Sequence, residues 1–262
     1  MNAGLPSLEA ASITQALIKP GGLWREIKVV AETGSTNTDL LSDAAAGAAE
    51  GAVLAAQVQT AGRGRLGRRW LSPPGAALTF SVLLRPAGVP VSRRGWISLL
   101  FGVAAVSAMR RVAGVNAVLK WPNDVLVGER KLAGILAEQA GGAIVAGIGI
   151  NFAAVPPGPA GAAATSVEAE GTVPVSRDKL LVAVLEELEV AYRHWLADPD
   201  GHGLRSQYVG MCATIGRAVR VELPGGRGLT GTATDVDGDG RLVVRADGAL
   251  TAISAGDVIH VR

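Results

Sequence analysis

The sequence predicts an α+β protein: a mixed sheet with flanking helices over residues 1–211, joined to a small β-barrel over 212–262. Three observations predict this. Strand-like and helical runs are interspersed through the first part, with four short strands separated by tight turns between 117 and 151. Composition shifts near 212 to short strands broken by glycine turns, the pattern of a small barrel. Hydrophobic residues make up 48% and aromatics 4%, so a sizeable core must rest on Val, Leu, Ile and Ala.

The elements follow in order. Residues 7–19 read as a short helix, and "WREIKVVAET" (24–33) alternates like a strand. "GSTNTDLLSDAAAG" (34–47) reads as a helix with a capping box from Thr36 to Asp39 and a stop at Gly47. "GAVLAAQVQT" (51–60) is a buried strand leading into a loop of glycines and arginines, and "ALTFSVLLRP" (77–86) is another strand. A long helix is expected over 92–112, then the strands "AVLKWP", "DVLVG", "KLAGILAEQ" and "AIVAGIGIN", then a surface loop over 153–173 and a helix over 176–196. Beyond 212 come "AVRVELP", "GLTGTATDVD", "RLVVRAD", "ALTAI" and "VIHVR". "DVDGDG" (235–240) begins like a calcium loop, but Ala246 stands where the twelfth-position Glu is needed and strands flank it, so a hairpin turn is expected.

With 25 basic and 23 acidic residues, the net charge is +2, too even for a chain whose main task is gripping DNA or a membrane. The single cysteine, Cys212, excludes an internal disulfide and a cysteine zinc finger, and reads as a small buried apolar residue. "MNAGLPSLEAASITQALI" has no basic flank before an apolar block, and "ISLLFGVAAVSAM" (97–109) is too short to span a bilayer. A cytoplasmic protein without membrane attachment is expected.

"TAGRGRLGRRW" (60–70) contains Gly62-x-Gly64-x-x-Gly67, the spacing of a dinucleotide fingerprint. That fingerprint needs a helix immediately after it, and Pro73-Pro74 cannot begin one in register. The Lys-Ser/Thr end of a P-loop is also missing. Four arginines within seven positions repel one another unless an anion arrives. Glycine lets backbone N–H groups approach phosphate, and arginine adds bidentate donors that stay charged. The loop reads as a polyanion clamp that orders over its ligand.

In "LKWPNDVLVGERKLAGILAE" (119–138), Lys120 and Lys131 bracket Asp124, and a hairpin through "VGER" returns Lys131 towards them. Two lysines and a carboxylate suit a nucleotide–magnesium site, although hairpin charges and a turn aspartate have the same letters. Asn151 ends a strand after two glycines, where an amide can read an adenine edge or cap a turn. "GSTN" (34–37) can cap a helix or face a small neutral polar ligand.

Taken in this order, "GSTN", "QTAGRGRLGRRW", "KWPNDV", "KLAGIL" and "GIGIN" resemble biotin–protein ligase, also called biotin–[acetyl-CoA-carboxylase] ligase. The motifs run from about Thr33 to Asn151, and the β-rich tail also fits. The resemblance implies the biotin/lipoate ligase catalytic fold with ATP and biotin as substrates and Mg²⁺ as cofactor. It implies activation of biotin as biotinyl-5′-AMP and transfer to a lysine of a biotin carboxyl carrier protein or domain of an acyl-CoA carboxylase. It also implies roles. Ser35, Thr36, Asn37 and Gln59 would meet the ureido ring. Gly62, Arg63, Gly64 and Arg65 would hold the biotin carboxylate and phosphates, with Arg68 on pyrophosphate. Trp70 would pack over the adenine that Asn151 reads. Lys131 would act on the carboxylate and α-phosphate, Asp124 would bind Mg²⁺ or orient ATP, and Lys120 would support them.

Some family members carry an N-terminal DNA-binding domain of some 60 residues. Only about 25 residues precede the first strand here, so the monofunctional type without specific DNA binding is expected, as monomer or homodimer. Lipoate–protein ligase, with the same adenylation logic, and a non-catalytic nucleotide-binding regulator are the rival readings.

Overall fold

A computed structural model describes residues 7–71, 73–153, 163–198, 201–223 and 228–261. Seven strands form the main sheet: β1 (Glu26–Thr33), β2 (Ala52–Gln59), β3 (Ala77–Leu84), β4 (Val118–Lys120), β5 (Asp124–Val127), β6 (Arg130–Ala140) and β7 (Ala143–Asn151). Their order is β1-β2-β3-β7-β6-β5-β4. Only β1 and β2 pair in parallel, across the helix α2 (Thr36–Ala45) that a parallel connection requires; the remaining pairs are antiparallel. The sheet is therefore mixed, as expected.

Helices cover both faces. On one side α3 (Trp96–Ala113) and α5 (Arg177–Ala197) pack together over β3 and β7, with α1 (Ala10–Leu17) against α5. The long stretch Val91–Ala113 is apolar enough to cross a membrane by composition, but 78% of its most apolar window is buried, so it is the core helix. On the other face, Leu40 and Ala44 of α2 pack on Leu54, Leu83 and Val145. β3 and β7 are buried on both faces, which explains why their sequences read as continuous apolar runs rather than alternations.

Several expectations are revised. The residues over 92–112 begin as a 3₁₀ turn, Val91–Gly95, and become α-helical at Trp96. Helix α2 has Ser35, not Thr36, at its N-cap, and no capping box: the Thr36 N–H goes to Gln59, and Asp39 accepts from the Thr33 hydroxyl. Within the expected 153–173 loop, 154–162 lie outside the described residues, and a short helix α4 (Val167–Glu170) follows. A further helix, α6 (His202–Met211), leads into the C-terminal part.

That part contains β8 (Ala218–Glu222), β9 (Gly228–Val236), β10 (Leu242–Ala246), β11 (Ala249–Ile253) and β12 (Asp257–His260), antiparallel throughout in the order β11-β10-β9-β8-β12. The expected barrel is thus a five-stranded antiparallel sheet. Its edge strands β11 and β12 do not pair with each other among the described residues, and closure requires that pairing. Asp237 Oδ1 accepts from the Asp239 and Arg241 N–H groups, so "DVDGDG" is the expected hairpin turn. Val219, Val221, Ala233 and Val244 are buried in the same apolar cluster as α3. Trp96 and Trp121 donate their indole N–H groups to Gly238 and Gly240 carbonyls at 2.9 and 3.1 Å, tying α3 and the β4–β5 turn to the β9–β10 turn.

Candidate active site

The α2 face of the main sheet changes character towards the end of β7. Val145 is apolar and packed, but Gly147 and Gly149 follow at the next two positions on that face. A Cβ at Gly147 would run into the Asn37 side chain, and one at Gly149 into the Trp70 ring. Glycine is needed here for close approach, not for backbone freedom. A cavity of about 330 Å³ opens above these glycines. It is bounded by the start of α2, the end of β2, the arginine loop, β4 to β6 and β12. Of the residues expected to form the site, Gly62 and Asn151 alone do not line it.

One end is neutral and hydrogen-bonded. Gln59 Oε1 accepts from the Thr36 N–H at 2.8 Å and lies 3.0 Å from its hydroxyl oxygen, so the Gln59 amide nitrogen is left for other partners. Thr36 and Ser81 hydroxyls meet at 2.7 Å, and Ser81 donates to Asn37 Oδ1 at 2.6 Å. Asn37 Nδ2 donates to the Leu136 carbonyl at 3.1 Å and to Glu138 Oε2 at 3.0 Å. Ser35, Thr36, Asn37 and Ser81 are all buried, and each of the last three has its polar atoms paired, as a buried network requires.

The other end is cationic. The loop's base is closed by the Arg63–Arg69 bridge and by Gly64 N–H to the Arg68 carbonyl at 2.7 Å. A Cβ at Gly62 would sit 2.5 Å from the Trp70 carbonyl, which accounts for that glycine although it does not face the cavity. Gly67 turns the chain at φ +72°, next to Leu66 at φ +56°. Arg65 donates to Asn123 Oδ1 and to the Gly256 carbonyl, each at 3.1 Å, and Arg68 pairs with Asp257 of β12. Burial pulls the Arg65 guanidinium below its ordinary value, Asp124 opposes the shift and Arg68 adds to it.

Lys131 closes the cavity between these ends. The β5–β6 hairpin returns it as expected, placing Nζ 2.6 Å from Asp124 Oδ1 and 6.0 Å from the Trp70 ring centroid. Its backbone N–H and C=O are held by Ala163 and Thr165, both at 2.9 Å. Lys120 lies opposite Asp124 in the β4–β5 register. Asn151 donates its side-chain N–H to the Lys131 carbonyl at 3.2 Å; it braces the lysine's backbone instead of facing the cavity. No group of three His, Cys, Asp or Glu residues placed to hold a metal occurs among the described residues.

Ser81, Asn123, Glu138 and Asp257 belong to the site but to none of the sequence expectations. Ser81 had a visible signal, a hydroxyl in the apolar run "ALTFSVLL". Asp257 had none, because it reaches the loop from almost 190 residues away, from Arg68 in sequence.

The model of the biotin/lipoate A/B protein ligase family matches residues 29–153, and that of the biotin protein ligase C-terminal domain matches 214–261. The chain is 43% identical to a biotin–[acetyl-CoA-carboxylase] ligase of Mycobacterium tuberculosis, over 98% of this chain and 97% of that one. It superposes on a biotin protein ligase of Aquifex aeolicus in complex with biotin and ATP at a TM-score of 0.77, with 25% identity, covering 91% of this chain and all of that one. A ligase from Leishmania major in complex with biotinyl-5-AMP superposes at 0.64 with 26% identity, covering 88% and 99%.

Proposed function

Because the chain belongs to the biotin/lipoate A/B protein ligase family, we infer that it is an ATP-dependent biotin ligase. It activates biotin as biotinyl-5′-AMP and transfers the biotinyl group to a lysine of a biotin carboxyl carrier protein. The observation that carries this reading is a single cavity with a neutral hydrogen-bonding end at Thr36, Asn37 and Gln59 and a cationic end at Arg65, Arg68 and Lys131.

Two anions must meet in the first step. A biotin carboxylate oxygen attacks the α-phosphorus of ATP, the bond to the β-phosphate oxygen breaks, and pyrophosphate leaves. Fixed cations offset the repulsion without reorganising during the reaction. Lys131 supplies the charge nearest the α-phosphate, and Asp124, 2.6 Å from its Nζ, keeps the ammonium aimed. Arg63 and Arg65 take the carboxylate and phosphates, and Arg68 takes the departing pyrophosphate. Trp70 lies across Gly149 and Gly134 as a flat wall for the adenine. In the second step the carrier lysine's neutral amine attacks the acyl carbon. AMP leaves with the former carboxylate oxygen, and the amine's extra proton passes to solvent. The chain contributes alignment, charge and exclusion of water, and forms no covalent bond to the acyl group.

Magnesium suits this site only as part of the nucleotide. Asp124 is a single carboxylate already paired with Lys131, whereas a hard cation bridging phosphates needs just one or two protein oxygens. Asp124 would hold such an ion directly or through water. The carrier is a domain of an acetyl-CoA carboxylase or related enzyme, and the reaction belongs to the cytoplasm, where ATP and carboxylase occur together. No sequence-specific DNA binding is proposed, and a specific complex in a low-salt gel shift would contradict that. Pyrophosphate release should require biotin and ATP together, and a carrier domain should then become labelled. Lipoyl transfer without biotinyl transfer would overturn the reading.

A further inference from the structure

We propose that Glu138 is a positioning residue whose one carboxylate fixes Asn37, at the neutral end of the cavity, and Arg63, in the loop, at a set separation. The inference rests on the ligase reading above. Glu138 lies on β6 with its side chain 20% exposed. Its Oε2 accepts from Asn37 Nδ2 at 3.0 Å and its Oε1 pairs with Arg63 at 2.8 Å.

The consequences follow from donors and acceptors. Neither the Glu138 carboxylate nor the Leu136 carbonyl has a proton to give, so the atom of Asn37 facing both must be nitrogen. Ser81, donating to Asn37 Oδ1 at 2.6 Å, locks the amide from the other side. Both N–H groups of Asn37 are then used, and its only remaining capacity is a lone pair on oxygen. Asn37 can accept from a ligand N–H but cannot donate to it. Arg63, half-exposed, has its direction set by the same carboxylate that orients Asn37. The site therefore holds an acceptor for a ligand N–H and a cation for a ligand carboxylate on one rigid support. Glu138 thereby sets the separation of the acceptor and the cation, and with it the length of acid the site fits best.

Glu138→Gln tests this. The glutamine amide can accept from Asn37 or from Arg63, but turns its own N–H₂ towards the other, so one of the two is released. Biotin-dependent pyrophosphate release should show KM for biotin raised about tenfold, the effect of one buried polar group left without its partner. KM for ATP should stay within about twofold, and the preference for biotin over homobiotin, longer by one methylene, should fall. Glu138→Asp retains the charge but cannot reach both partners; it should show the same pattern more weakly, and decides the matter if the glutamine form does not fold. Equal changes in both KM values, or an undiminished preference for biotin in either variant, would overturn the proposal alone. Absence of biotin-dependent pyrophosphate release from the unaltered protein would overturn the ligase reading and this inference with it.

Discussion

Lys131 shows how a single residue's task follows from its surroundings. Its ammonium is 2.6 Å from Asp124, and its backbone is held by Ala163 and Thr165 on one strand edge and braced by Asn151. Such a charge acts most strongly where negative charge develops, so Lys131→Ala should lower the rate of adenylate formation by about 10²–10³-fold. ATP affinity should fall far less, measured by rapid quench and by nucleotide binding respectively; equal losses would mean that the lysine only binds. Glycine 149 is a residue-scale device of another kind. An alanine there would push against the Trp70 ring. Gly149→Ala should destabilise the fold by about 1–3 kcal/mol, read from thermal unfolding, and raise KM for ATP more than KM for biotin. The approach of Lys131 to Asp124 was legible in the spacing of "KWPNDVLVGERKL", because a tight hairpin is local chemistry. The duty of Asn151 was not, because a cap, a brace and a base reader use the same amide.

At the scale of elements, the arginine loop is the part whose design could be read most fully. Its glycines serve a close approach at Gly62 and a left-handed turn at Gly67. What the letters did not disclose is how the cations are held: Asp257 and Glu138 are brought to them from distant strands and Asn123 from the β4–β5 turn. Arg65 is the most constrained, bonded to both the β4–β5 turn and the β12 lead-in. Arg65→Ala should let the loop open, so that biotinyl-AMP appears in free solution during turnover without carrier. Retention as tight as in the unaltered protein would count against a closing loop. The capping box failed for a related reason. Thr36 was assigned to local helix capping, but its N–H is satisfied by Gln59 from β2, a tertiary partner that outcompeted the local one.

In the whole molecule, the boundaries of nearly every strand were legible, since periodicity and glycine turns are local signals. Strand order and the openness of the C-terminal sheet were not, because both depend on which edges meet. We propose 1–211 and 212–262 as functional units, joined by a seam that runs into the site. At that seam the Trp121 N–H donates to Thr214 at 3.2 Å, and Thr214 meets His260 Nε2 at 3.1 Å. Arg217 donates to His260 Nδ1 at 3.2 Å, so the imidazole's proton sits on Nε2. Burial, then Lys120 and Arg217, lower the His260 pKa, with Glu129 opposing. The folded state therefore binds fewer protons here than the unfolded chain, and stability is lost as pH falls through the ordinary value of 6.5. The melting temperature should drop between pH 7 and pH 5.5, and His260→Gln should flatten part of that drop; an unchanged slope would show that His260 does not cause it. The central claim, that one cationic loop brings two anions together and keeps their product, has a direct measurement. Protein mixed with α-phosphate-labelled ATP, with and without biotin, is passed through a desalting column. Label should emerge with the protein only when biotin is present, and be released as AMP when carrier domain is added. Label emerging equally without biotin, or with none retained in either case, would contradict it.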